Sequence, residues 1–156
     1  MSAEPDRPNW VERRYHREQA LTAQAADVWD AVRKRLQDAC DSFKFRFLKD
    51  GGLEANPENR HRISIVRTFP ATANSKSQQH QVIVNYSSEK FTINVVRDSG
   101  SQLFHIEANE NQAYITNGQT ILDPDEVSRM ILEPLLFARP VVNLFANMPK
   151  PAAPKL

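Results

Sequence analysis

From residue 43 to residue 122 the chain alternates hydrophobic and polar positions with a period of two. Phe43-Lys44-Phe45-Arg46-Phe47, Ile63-Ser64-Ile65, Val82-Ile83-Val84-Asn85-Tyr86 and Phe91-Thr92-Ile93-Asn94-Val95 each carry the spacing of a strand with one buried face. Short polar stretches separate them, which predicts an antiparallel meander. Strands are expected over 43–47, 60–69, 81–86, 91–97, 102–108 and 113–116. Asp50-Gly51-Gly52 closes the first, 55–59 reads as a loop, and 70–79, rich in Ser, Asn and Gln, as the longest and most mobile one. Asn117-Gly118 matches a two-residue type I′ hairpin, which pairs 114–116 with 119–121.

On either side of this run the period changes to 3.6. Leu21, Ala25, Val28, Trp29, Val32, Leu36, Ala39, Cys40 and Phe43 fall three or four apart and give a helix over 21–41. Before it, Trp10 to Gln19 is basic and irregular, open to a strand, the first turns of the helix or a solvated arm. Asp123-Pro124-Asp125-Glu126 combines a capping residue, a proline suited to the first helical position and a capping-box acid, so a second helix starts there. Val127, Met130, Ile131 and Leu135 line its inner face, and Pro134 should kink or end it. The fold class expected is α+β: a two-layer antiparallel meander of five to seven strands flanked by an N-terminal and a C-terminal helix. Residues 1–9 read as a disordered lead, 10–148 as a single domain, and the proline-rich 149–156 as a disordered tail.

The segment Ala26-Asp27-Val28-Trp29-Asp30-Ala31-Val32 resembles the helix start of helix-grip (START-like) ligand-binding domains. That resemblance implies a curved antiparallel sheet wrapped around a long C-terminal helix, a feature from which the Pro134-interrupted last helix departs. It assigns no site residue.

Charge and composition narrow the function mainly by exclusion. At 156 residues the chain is long enough to bury a core without a metal or disulfide staple. A net charge of +1 gives no overall field toward nucleic acid or an anionic membrane, and neither partner is expected. The N-terminus shows no export signal and no stretch has the length of a membrane span, which favours the cytoplasm. Cys40, the single cysteine, lies on the helix's apolar stripe beside Asp38 and Asp41, the setting of a packed thiol and not of a nucleophile. His105 and Glu107 share one strand face, but with His16, His61 and His80 scattered they form no metal-ligand spacing. Four glycines, at 51, 52, 100 and 118, make no phosphate loop, and no nucleophile motif occurs. No cofactor, no metal and no catalytic residue are expected.

One feature points toward binding. With Val82, Val84, Phe91, Ile93, Val95, Phe104 and Ile106 turned to the helices, the other sheet face carries Val66, Ile83, Val96, Leu103 and His105 among Ser, Thr and Asn. A solvated face usually holds more charge and fewer large aliphatics. These five residues are the expected interface of a non-enzymatic binding or adaptor module, with a protein partner or a homodimer on the open face. The alternative is a carrier or sensor of a small apolar ligand, held in a cavity between sheet and helices; a third reading has the short apolar segment 141–145 fold back over the face.

Overall fold

The computed structural model describes residues 9–48, 52–73 and 76–137. Helix α1 (Trp10–Arg46) leads into β1 (Gly52–Asn59), β2 (Arg62–Phe69), β3 (Gln78–Ser87), β4 (Thr92–Arg97), β5 (Gly100–Ala108), β6 (Ala113–Thr116), β7 (Ile121–Leu122) and helix α2 (Pro124–Leu136). The strands form one open sheet in sequence order, every neighbouring pair antiparallel. Both helices pack on one face, against each other and the strands. This is the α+β meander that the periodicity predicts.

The core forms where the helical stripe meets the inward strand positions. Trp29, Val32, Leu36 and Cys40 of α1 are fully shielded together with Ile63, Ile65, Val84, Ile93, Val95 and Phe104 of the sheet, and Val127, Ile131 and Leu132 of α2. Trp29 orients the layers: its indole N–H donates to the Arg60 carbonyl at 2.8 Å and its ring stacks on Tyr86 at 5.6 Å. Burying each large side chain of this kind contributes roughly 1.5–3 kcal/mol.

Several local expectations are corrected. The alternating Phe43–Phe47 segment is the end of α1, not a strand: Phe43 continues the stripe at three residues past Cys40, whereas Phe45 is 82% and Phe47 62% exposed. Extending an existing helix costs little, and Lys44 and Arg46 suit its C-terminal dipole. The same reasoning makes 10–20 the opening turns of α1, with Asn9 as N-cap accepting from the Glu12 N–H at 3.0 Å. Residues 55–59, expected as loop, belong to the edge strand β1; Pro57 fits there because an edge strand has no second ladder to donate to, and the register slips between Pro57 and Asn59. The strand over 78–87 likewise begins inside the expected 70–79 loop.

A further correction concerns the Asn117-Gly118 hairpin, which exists but is looser. Thr116 pairs with Ile121 and Ile115 with Leu122, leaving a turn over 117–120. Gly118 alone takes a positive φ there, +96°, and the Asn117 side chain accepts from the Gln119 and Thr120 N–H groups at 2.9 Å each. An Asx-type turn has replaced the type I′ turn. Pro134, expected to kink or end α2, does not end it: the helix runs past it to Leu136. The capping box at its start is as expected, with Asp123 accepting from the Glu126 N–H at 2.7 Å. At thirteen residues α2 is not the long C-terminal helix of the helix-grip pattern; the long helix is α1, with 37. Of the expected lead at 1–9 only Asn9, the N-cap, is described; residues 1–8, the tail at 149–156 and the apolar 141–145 lie outside the described residues.

Candidate functional site: the uncovered sheet face

The register gives the outer face its order. Directly paired residues share a face, so Asn56, Ser64, Ile83, Val96 and Ser101 form one row across β1 to β5. Val66 pairs with Gln81, one step diagonal to Ile83. Leu103 pairs with Asn94, one step diagonal to Val96. Opposed and diagonal side chains on one face lie about 4.5–8 Å apart, within reach of one another. Val66, Ile83, Val96 and Leu103 therefore form one diagonal stripe over four adjacent strands.

These residues differ in exposure. Val96 is 39% and Leu103 46% exposed, while Val66 and Ile83 are half-buried between their neighbours. His105 is exposed, paired with Thr92 and Thr116, and so lies one row beyond Leu103. Ile121, 64% exposed, pairs with Thr116 and carries apolar surface to the β7 edge. The sequence reading left Ile121 out of the interface, although either hairpin register turns it outward: the two-residue turn would pair it with Tyr114 and the structure pairs it with Thr116, residues of the same face.

Polar positions of the face are mostly uncharged. Asn85 opposes Asn94, and the Gln81 amide donates to the Ser64 hydroxyl at 2.8 Å, leaving Ser64 buried. Charge is confined to the margins, at Glu54, Glu107 and Arg62; Glu58 meets Arg62 at 2.8 Å. A charge-poor centre with aliphatic anchors is the composition of the middle of a protein interface.

Other candidate chemistry falls elsewhere. Cys40 is buried in the core, where burial, with a smaller push from Asp41 against Lys44, drives its thiol up to about 11. Among the described residues no three His, Cys, Asp or Glu side chains gather as a metal-ligand set. No described helix is long and apolar enough to cross a membrane. The layer between sheet and helices holds fully shielded side chains, and an apolar groove of about 370 Å³ instead opens between the ends of the two helices. Phe43, Phe47 and Phe137 meet beside it with ring centroids 5.3–5.4 Å apart. Phe47 and Phe137 were absent from the sequence-level site because the strand reading of 43–47 hid the aromatic cluster.

No family model, curated protein or solved structure matches this chain.

Proposed function

We propose that the chain is a non-enzymatic protein-binding module that docks a partner on the outer face of its sheet. The observation that carries this reading is the continuous stripe Val66–Ile83–Val96–Leu103 on a face without central charge. The partner we assign is another protein presenting an uncharged, aliphatic surface, held reversibly. A permanent homodimer is disfavoured by area: the aliphatics are each more than half covered, well short of the roughly 800 Å² per partner of a standard stable interface. The lone buried thiol suits a reducing compartment such as the cytoplasm. The alternative of a small apolar ligand draws on the aromatic groove between the helix ends.

A photo-reactive phenylalanine analogue placed at Leu103, and at exposed Glu89 as control, tests the reading in cells that make the protein. One recurrent heterologous adduct is expected from position 103, none from 89, and its loss in the Ile83→Lys, Val96→Lys background. Only self-adducts, or none, overturn it. A stoichiometric apolar molecule that co-purifies in native mass spectrometry would move the assignment to the ligand reading.

A further inference from the structure

We infer that Arg67 and His80 form an anion site on the helix-facing side of the sheet, built to take the carboxylate of a small apolar acid. In β2 the inward positions Ile63 and Ile65 are core aliphatics, and the next inward position is an arginine only 9% exposed. Arg67 pairs directly with Leu53 on one side and His80 on the other, so the three share that face.

Neither basic group is satisfied within the fold. Arg67 Nη1 donates to the Thr68 carbonyl at 3.2 Å and to the Gly52 carbonyl at 3.4 Å, while its Nε is shielded from solvent and has no partner. His80 Nε2 is also shielded and also without a partner. Among the described residues one further side-chain nitrogen is left in this way, Arg62 Nε, and it faces Glu58 at 2.8 Å. No ion pair among the described residues includes Arg67 or His80. Burial holds the Arg67 guanidinium below its usual range, and no counter-charge among those residues offsets the cost.

The surroundings select the anion. The guanidinium lies over the Phe69 ring at 4.3 Å and near the Phe43 ring at 5.4 Å, and the His80 ring meets Phe69 edge-on at 5.6 Å. A groove of about 390 Å³ opens beside His80, one strand from Arg67, with Val82, Pro134 and Leu135 as its apolar wall. Arg97 adds a second guanidinium there, its Nη atoms engaged by carbonyls of α2. Asp98, the one acid on the groove among the described residues, stands at the exposed β4–β5 turn.

Two open nitrogens on directly paired residues match the two oxygens of a carboxylate, which accepts charge-assisted hydrogen bonds. A phosphate would bring further oxygens that aromatic and aliphatic walls leave without donors. The acid therefore sets its carboxylate at Arg67 and His80 and lays its apolar body in the groove. The docking face lies on the opposite side of the sheet, so the two sites can be occupied together.

NMR titration of the full chain with phenylpropionate tests the site, with phenylpropanol and inorganic phosphate as controls. The acid should bind reversibly, shift the His80 imidazole resonances and raise the melting temperature. The alcohol and phosphate should bind at least about tenfold more weakly. Arg67→Met should lose the acid yet keep the native circular dichroism and melt no lower than the parent, because an uncompensated buried charge is gone. His80→Phe, which leaves the guanidinium in place, should weaken the acid about tenfold. Ile83→Lys with Val96→Lys should bind the acid as the parent does, which separates this site from the docking face. Alcohol or phosphate binding as tightly as the acid, no shift at His80, parental binding by His80→Phe, or loss of the acid in the sheet-face variant would each overturn the proposal.

Discussion

Arg97 donates from Nη2 to the carbonyl of Met130 at 3.1 Å, the carbonyl that Pro134, having no N–H, leaves without its helical donor. Nη1 of the same guanidinium reaches the Ile131 carbonyl at 2.6 Å. A side chain from the end of β4 thus replaces the hydrogen bond that proline removes, which is how α2 continues to Leu136. The tie also fixes α2 to the sheet. Its partial burial holds the Arg97 guanidinium below its usual range, and no carboxylate among the described residues offsets that cost.

Arg97→Met should therefore cost about 2–3 kcal/mol in urea unfolding, the scale of losing charged hydrogen bonds to buried acceptors. Pro134→Ala restores the helical donor, so in the Arg97→Met background it should recover part of that loss. Additive effects in the double-mutant cycle would show that the two residues do not act on the same carbonyl.

Gly118→Val should destabilise by about 1–3 kcal/mol, because a β-branched residue resists a φ of +96°. No atom crowds the added Cβ, so the cost is conformational alone. Asn117→Ala should cost about 1 kcal/mol through the two N–H groups it leaves without their side-chain acceptor. Thermal melts of both variants check this; an unchanged Gly118→Val midpoint would mean that the turn adopts another conformation.

Cys40 should resist iodoacetamide in the native protein at pH 8 and react at once in denaturant. The sign of its linkage to stability follows from the direction of the shift. The folded thiol holds its proton up to about 11, while the unfolded one releases it near 9.0. Its contribution is thus complete below pH 9 and falls as pH rises from there to about 11. Denaturation series across that window, compared with Cys40→Ala, should show the parent losing stability more steeply.

Ile83 and Val84 are neighbours in β3 with opposite fates. Val84 is fully buried, so Val84→Lys should unfold the domain, at a cost of several kcal/mol for an unpaired charge in the core. Ile83→Lys, half-buried on the outer face, should leave the circular dichroism spectrum native and cost about 1 kcal/mol or less. Similar losses from both would show that the outer face is covered in the folded protein.

The sequence by itself determined the α+β class, the strands after residue 60, the buried face of each, and the capped start of α2. Those features rest on local periodicity and on groups within a few residues, as in the Asp123–Glu126 box. It also separated Ile83 and Val96 from Val82, Val84 and Val95, since alternation assigns faces before any partner strand is known. Only the tertiary structure decided the rest. Phe43-Lys44-Phe45-Arg46-Phe47 fits a strand and a helix end equally well over five residues, and packing of Phe43 beneath α2 and Phe137 selects the helix. Residues 52–59 have almost no apolar signal, because an edge strand is held by the backbone of its neighbour. The stripe from Val66 to Leu103 depends on registers between four strands, and the Arg97–Met130 tie joins residues 33 apart in sequence. Such relations depend on the path of the chain in space, which local patterning does not encode.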